Sequence, residues 1–562
     1  MSAPAVQTAL FSPVSILNLA SPIDGGDHGE IFTRRWIIDL ILDLSGYTPD
    51  RDLSQLVAIE PSCGSGAFLV PMISRLCDSL RLHGRSLEDA SGAIRAFDLL
   101  ERNAAAARAN VADELAKAGY SDPLVSAVVD SWVTVADFLL TDHQAESADF
   151  VIGNPPYVRL EDVANDRVAA YRATCKTMGG RADIFVGFFE IGLQCLRRGG
   201  TLGFICADRW QRNQYGARLR EMIGASYSMV ASIEMHDVDA FEEQVSAYTA
   251  ITVIKRDRQG EAVVATTTRD FDEAASRVLR GWWHGEGTEP LSTSGLRAAR
   301  LPHWFQGQES WPAGSPARLA LLEDLNERFP LLEDMSTRTR IGIGVATGAD
   351  GIFVTKDPEA VERERLLPLA MSRDTVSGHL SWSGHYLVNP WGPTGELVTL
   401  DDYPRLRAYL EGNASDILRR HVSKRAPHAW YRTIDKVEYG LTAKTKLLFP
   451  DMKMTTHPVL DPGGLYPHHN LYFVVSDGWD LEVLGGLLLS RVAEFFVDSY
   501  AVKMRGGTLR FQAQYLRRIR VPRVAEIAGS DREELRAAFL SRDSEKATSI
   551  ALRLYGIAGI PD

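Results

Sequence analysis

Cysteine is scarce in this sequence: five residues among 562, at Cys63, Cys77, Cys175, Cys195 and Cys206. They stand apart, with no Cys-x-x-Cys pair and no cysteine–histidine cluster at zinc spacing, which argues against a disulfide framework and against a structural metal. A continuous apolar run long enough to span a bilayer is missing too. The first residues, MSAPAVQTALFSPVS, lack the basic stretch and apolar core of a secretory leader. No repeat and no low-complexity tract is visible. These absences lead to the expectation of a cytoplasmic globular protein with reduced thiols, no membrane attachment and no metal. Positive charge is also in deficit: 61 Lys and Arg against 73 Asp and Glu give a net charge of −12. A global deficit does not exclude a local basic face. The stretch from Lys503 to Arg523 holds Lys503, Arg505, Arg510, Arg517, Arg518, Arg520 and Arg523 with no acid, and Arg419, Arg420, Lys424 and Arg425 crowd a second basic stretch between Arg405 and Lys453.

What is present is an alternation of apolar β-like runs with helix-like segments over roughly the first 255 residues. Strands are expected at 56–60, 92–98, 132–138, 149–153, 201–207, 232–238 and 247–256, and helices at 67–80, 101–119 and 183–200, the last stopped by two glycines. Such alternation implies a mostly parallel sheet covered on both faces. After about residue 258 the pattern changes. The reading divides the chain into a catalytic domain at 1–258, a connecting region at 259–330 with the Trp282–Trp283 pair, and a third region at 331–562 of short strands, turns and basic patches.

Four clusters carry chemistry. The first is Glu60-Pro-Ser62-Cys-Gly64-Ser-Gly66, directly after a strand and before a helix, where glycines let a nucleotide-like ligand approach the backbone. No Lys-Ser/Thr follows the glycines, so this is not a phosphate-binding P-loop. The second is Asp98 at the end of the next strand, placed to accept hydrogen bonds from a ribose diol. The third is Asp137-Phe138. The fourth is Asn154-Pro155-Pro156-Tyr157 after DFVIG. Two prolines fix an extended backbone with few donors, so the loop presents carbonyl oxygens and the Asn amide oxygen in a fixed array beside an aromatic face. That array suits a planar exocyclic amine, which has two hydrogens to donate and a π-face to stack.

Together these pieces resemble the gamma-class adenine DNA methyltransferases of restriction-modification systems, of the TaqI and type IIG sort. HGEIFTRRWIIDLILDLSG (28–46) is similar to the family's N-terminal cofactor motif, with Thr33-Arg34 where the family usually has Thr-Pro. AFEEQVSAYTAITVIKR (240–256) is similar to its last catalytic-domain motif, and IGIGVATGADGIFV with YLRRIRVPR to segments of its target-recognition region. The resemblance implies an α/β fold: a class I, Rossmann-like methyltransferase mixed sheet with helices on both faces, followed by a C-terminal α+β target-recognition domain. It implies S-adenosyl-L-methionine as cofactor, held by Phe32, Thr33, Glu60, Ser62, Gly64, Gly66, Asp98, Asp137 and Phe138, with Asp98 as the ribose acid and Asp137-Phe138 as the pair at the edge of the cofactor's adenine. It makes Asn154, Pro155, Pro156 and Tyr157 the catalytic loop and Phe241 a second stacking aromatic. Lys503, Arg505, Arg510, Arg517, Arg518 and Arg520 would then hold DNA phosphates.

The implied reaction is methylation of adenine N6 in duplex DNA after base flipping, with double-stranded DNA and a cognate restriction endonuclease or defence-system protein as partners. Cytosine C5 chemistry would need a cysteine nucleophile, usually after proline, and none of the five cysteines follows one. Cytosine N4, an RNA base or a protein glutamine remain alternative amines for the same loop. A single-chain restriction-modification enzyme is a further alternative, disfavoured because only about 27 residues precede the first cofactor motif.

Overall fold

The computed structural model describes residues 32–242, 248–285, 289–501 and 509–561. The chain forms two compact units divided between Ala317 and Arg318. Among the described residues no helix is long and apolar enough to cross a membrane.

The first unit is built on a ten-stranded sheet. Its strands are β1 (Ala58–Glu60), β2 (Ile94–Asp98), β3 (Val133–Val135), β4 (Ala148–Gly153), β5 (Leu196–Ala207), β6 (Ser228–Glu234), β7 (Thr249–Lys255), β8 (Ala262–Thr267), β9 (Leu291–Thr293) and β10 (Leu296–Leu301). The helices are α1 (Arg35–Ser45), α2 (Leu69–His83), α3 (Glu101–Lys117), α4 (Asp122–Trp132), α5 (Asn165–Thr174), α6 (Phe185–Cys195), α7 (Ala217–Ser226) and α8 (Glu273–His284). Spatial order is β3-β2-β1-β4-β5-β7-β6-β8-β10-β9. Strands β3 through β5 run parallel, and β7 inserts antiparallel between β5 and β6. This is the class I methyltransferase sheet the resemblance implies. Because β1 and β4 are neighbours, the loops that leave their carboxyl ends must also be neighbours.

Local sequence accounts for the elements around that edge. Strands β1 and β4 are buried at every position, as strands covered on both faces require. Helix α1 buries Ile37, Ile38, Leu40, Ile41, Leu42 and Leu44, and stops at Gly46 in the left-handed region. Helix α3 buries Ala104, Ala107, Val111 and Leu115, a single face at helical spacing. Proline at 71 lies in the first turn of α2, where its missing N–H has no helical partner to lose.

Two expectations are corrected. The helix expected over 183–200 ends at Cys195, and residues 196–200 belong to β5. The two glycines there pair with Arg256, Gly199 N–H donating to its carbonyl (2.9 Å) and its N–H donating to the Gly200 carbonyl (2.9 Å). They continue a ladder rather than stop a helix. The connecting region expected over 259–330 does not stand apart either. Its strand β8 pairs parallel with β6, and β10 pairs antiparallel with β8, extending the catalytic sheet. Helix α8 is tied to α1 by Arg280 and Asp43 (2.7 Å).

The second unit holds two four-stranded sheets and a two-stranded ribbon. In one sheet Arg340–Ile343, Leu471–Val475, Lys446–Pro450 and Val459–Asp461 are all antiparallel. Helices Leu481–Leu489, Arg491–Tyr500, Gly529–Ser541 and Ser544–Tyr555 share a core with that sheet, through Leu484, Leu488, Phe496, Leu535 and Ile550.

Candidate catalytic and cofactor site

The chain leaves β1 at Glu60 and turns sharply through Gly64 (φ 53°) and Gly66 (φ 97°). L-residues with a Cβ avoid these angles. The turn is fastened to the end of β2: Cys63 N–H donates to the Phe97 carbonyl (2.8 Å) and Gly64 N–H to Asp98 Oδ2 (2.9 Å). Asp98 Oδ1 accepts from Leu100 N–H (2.9 Å) and Asn103 Nδ2 (3.2 Å). With 8% exposure, Asp98 is a fixed acceptor at the strand end rather than a surface acid. Glu60 lies beneath the turn at 1% exposure, and among the described residues its Oε2 has no hydrogen-bond partner. Burial drives its carboxyl well above the ordinary value, and the nearby charge of Asp98 adds to the effect. A methyl group on Gly64 would sit 3.9 Å from the Phe32 ring, which places that ring over the turn.

The Asn154–Tyr157 loop leaves β4 beside this turn. A Cβ on Gly153 would lie 3.3 Å from Pro61 Cδ and 3.7 Å from Glu60 Cγ, so the two strand ends approach closely and glycine leaves room for the approach. Ser62 Oγ donates to the Asn154 carbonyl (3.0 Å), joining the cofactor turn and the catalytic loop directly. Asn154 Nδ2 donates to Thr33 Oγ1 (3.2 Å), so the amide is turned with its nitrogen toward Thr33. Thr33 in turn forms an antiparallel bridge with Phe241, flanked by Arg34 N–H to the Ala240 carbonyl (3.0 Å) and Glu242 N–H to the Phe32 carbonyl (2.9 Å). Segments 32–34, 62–66, 153–157 and 240–242 therefore converge. An open cleft of about 370 Å³ lies alongside, lined in part by Phe32, Thr33, Ser65, Gly66 and Glu242. Pro155 is buried and Pro156 partly so.

Tyr157 and Phe241 also come together, but not as parallel plates. Their rings stand edge to face at 89° with centroids 6.5 Å apart, and the Tyr157 hydroxyl donates to the Ile205 carbonyl (3.3 Å). A planar group lying parallel to one ring would meet the other edge to face, and both arrangements are favourable for aromatic rings.

Asp137 and Phe138 lie at the end of β3. Phe138 packs face to face with Phe188 (5.5 Å, 18°) and edge-on to Phe97. Asp137 is held by two side chains that sequence reading missed: Arg167 Nη1 and the Tyr171 hydroxyl, both on α5 and both 2.8 Å from Asp137 Oδ2. Their spacing of one helical turn was readable, but nothing in the sequence shows which residue they face.

The described members of the expected DNA-contacting set have partners within the second unit. Lys503 and Arg505 lie outside the described residues. Arg510 is paired with Asp451. Arg517 Nε meets Glu333 (2.7 Å), and its Nη2 donates to the Ile341 carbonyl (2.7 Å). Arg518 lies over the Tyr500 ring (5.2 Å), and Arg520 donates to Asn326 Oδ1 (3.1 Å) and the Phe329 carbonyl (3.2 Å). Arg510, Arg517, Arg518 and Arg520 each have an acceptor or a ring within the second unit.

Comparison with known proteins agrees with this geometry. Residues 94–241 match the Eco57I restriction-modification methylase family. The chain is 42% identical over 557 residues to the Type II methyltransferase M.PaeR7I of Pseudomonas aeruginosa, covering 98% of this chain and 96% of that protein. It is 40% identical to the Type II methyltransferase M.XhoI of Xanthomonas vasicola, covering 94% and 97%. It is 38% identical to M.BstVI of Geobacillus stearothermophilus, covering 94% and 96%. In fold it is similar to the solved structure of the Type IIL restriction-modification enzyme MmeI, with TM-score 0.50 and 12% identity over 93% of this chain and 74% of that one. Matches of this identity span 94–98% of the chain, and on that basis the chain belongs to the Type II methyltransferases of restriction-modification systems.

Proposed function

We propose that the protein transfers a methyl group from S-adenosylmethionine to the exocyclic N6 amine of adenine in duplex DNA, as the modification arm of a restriction-modification system in the cytoplasm. The observation that carries this reading is the bond from Ser62 Oγ to the Asn154 carbonyl, which joins the cofactor turn to the Asn-Pro-Pro-Tyr loop. The residues present suit the cofactor: a glycine turn with an open backbone, Asp98 fixed at the ribose position, and a buried Glu60 oxygen with no partner among the described residues. Phe32, Thr33, Glu60, Ser62, Gly64, Gly66, Asp98, Asp137 and Phe138 would hold it. When bound, that cofactor supplies an electrophilic methyl group.

The chain's own residues prepare the acceptor. An adenine amine is a weak nucleophile because its lone pair is delocalised into the ring. The Asn154 side-chain oxygen and the Pro155 carbonyl accept its two hydrogens, which favours a pyramidal nitrogen with an available lone pair. Their rigid placement supplies rate through orientation and charge complementarity rather than through covalent chemistry. Tyr157 and Phe241 supply the stacking faces for the flipped base, a contribution of about 1–3 kcal/mol per base. Thiol attack is poorly supported: all five cysteines are buried and free, and at Cys63, beside the site, burial and the charges of Glu60 and Asp98 push the thiol well above its ordinary pKa.

The test is incubation of the full chain with methyl-labelled S-adenosylmethionine and duplex DNA, followed by nucleoside analysis. N6-methyladenine is expected; label in N4-methylcytosine, RNA or protein instead would overturn the assignment. DNA contacts are better sought at Lys424 and Arg425, exposed at the end of the short helix His421–Arg425, than along 517–520. The Lys424→Ala, Arg425→Ala double variant should weaken DNA binding and lower the slope of log K against log salt by about 2, near 0.9 per phosphate contact. Arg517→Ala with Arg520→Ala should instead lower the melting temperature and leave the slope unchanged. Salt titrations of binding separate the two, and an unaltered slope in the Lys424/Arg425 variant removes that face from the interface.

A further inference from the structure

Residues 158–184 leave the catalytic loop and return to α6 as an excursion closed at its neck. Leu160 N–H donates to the Ala182 carbonyl (3.1 Å), Ile184 N–H donates to the Val158 carbonyl (2.9 Å), and Arg159 bridges Asp183. The far side is pinned by Glu190, buried on α6, whose carboxylate accepts from Lys176 N–H (3.0 Å), Thr177 N–H (2.7 Å) and Thr177 Oγ1 (2.6 Å). Between these anchors α5 carries Arg167 and Tyr171, exposed by 7% and 4%. Both donate to Oδ2 of Asp137, while Oδ1 takes the Leu139 N–H (3.0 Å). Two donors on one carboxylate oxygen fix the rotation of the group. The guanidinium also opposes the protonation that burial favours.

We propose that Arg167 and Tyr171 are positioning residues for the cofactor, holding the Asp137 carboxylate ionised and turned so that Oδ1 accepts from the amino group of the cofactor's adenine ring. This rests on the reading of Asp137 and Phe138 as the adenine edge of the cofactor site. The ligand chemistry is an aminopurine donor against a fixed carboxylate acceptor. It makes the excursion after the catalytic loop part of the cofactor site, through residues that need not touch the cofactor.

The sign of the pH dependence follows. Burial raises the Asp137 pKa, and Tyr171, Arg167 and the Leu139 N–H pull it down against that trend. Removing Arg167 lets burial act with less opposition, so the acid form gains as pH falls. A carboxylic acid then sets a donor against the adenine donor. The other titratable groups near Asp137 are the Cys175 thiol, which burial pushes far up, and His143, which burial holds below its ordinary value.

The experiment is calorimetric binding of S-adenosylhomocysteine to the full chain, and of its inosine counterpart, in which a carbonyl replaces the amino group. The wild type should bind S-adenosylhomocysteine with little change between about pH 6 and about pH 8 and reject the inosine compound. Arg167→Met should weaken S-adenosylhomocysteine binding by about tenfold at the higher pH and more at the lower, and should lose the discrimination. Arg167→Lys should recover most of both, and Tyr171→Phe should show a smaller loss with the same loss of discrimination. A folded Arg167→Met with wild-type affinity at both pH values overturns the proposal. If that variant does not fold, Tyr171→Phe decides: unchanged affinity and discrimination overturn it equally. A wild type that binds no S-adenosylhomocysteine refutes the underlying cofactor reading, and the proposal with it.

Discussion

Replacing Asn154 by alanine should lower methyl transfer by at least about 10²–10³-fold while leaving S-adenosylhomocysteine affinity close to wild type. The loss falls on the chemical step because, in the proposed mechanism, the amide oxygen is one of the two acceptors for the target amine. Cofactor binding survives because the bond that joins the loops uses the Asn154 backbone carbonyl, which alanine keeps. The side-chain contact to Thr33 Oγ1 is lost. Asn154→Asp offers a finer test. It restores an acceptor oxygen but replaces the nitrogen that faces Thr33, so activity should lie between alanine and wild type. Single-turnover rates and calorimetry on the same samples separate the two effects, and wild-type turnover in the alanine variant would end the proposed mechanism.

A comparably large effect is expected in the second unit, at a buried ion pair. Lys446 Nζ lies 2.8 Å from Asp461 Oδ2, with both side chains essentially fully buried. Nζ also donates to the Leu441 carbonyl (3.1 Å) and the Lys444 carbonyl (2.9 Å), and Asp461 Oδ1 accepts from Gly463 N–H (2.9 Å). Lys446→Met leaves the carboxylate buried without its cation and should destabilise this unit by about 3–5 kcal/mol. Lys446→Met with Asp461→Leu removes both charges and should recover much of the loss. Denaturant unfolding of the two variants beside wild type checks this, and an unmoved midpoint in the single variant would show that the pair contributes nothing.

The convergence of the candidate site's segments was largely legible because its residues are written in contiguous runs. Asn154–Tyr157, Gly64–Gly66 and Asp98 each sit where a strand ends, and strand ends can be read from apolar runs stopped by glycine or proline. What could not be read is partnership across the sequence. Arg167 and Tyr171 look like polar positions on an ordinary helix until Asp137 is placed beneath them. The partners of the basic run at 517–520, namely Glu333, Asn326 and the carbonyls of Ile341 and Phe329, are likewise distant in sequence. Gly199 and Gly200 resemble a helix stop because that inference is local, whereas Arg256 pairs with them from across the sheet. For the same reason residues 259–330 read as a connector in sequence: their place depends on the edge of β6, which short alternating segments do not reveal.

The bridge between Thr33 and Phe241 has a thermodynamic corollary. The backbone that carries the stacking aromatic is paired to the residue that steadies the Asn154 amide, and Asn154 is joined through Ser62 to the cofactor turn. If seating a base turns Phe241 away from its perpendicular rest position, the displacement is transmitted along this chain of bonds. Reciprocity then requires that whatever factor the cofactor applies to base affinity, the base applies to cofactor affinity. Occupancy of either ligand becomes a measure of the other.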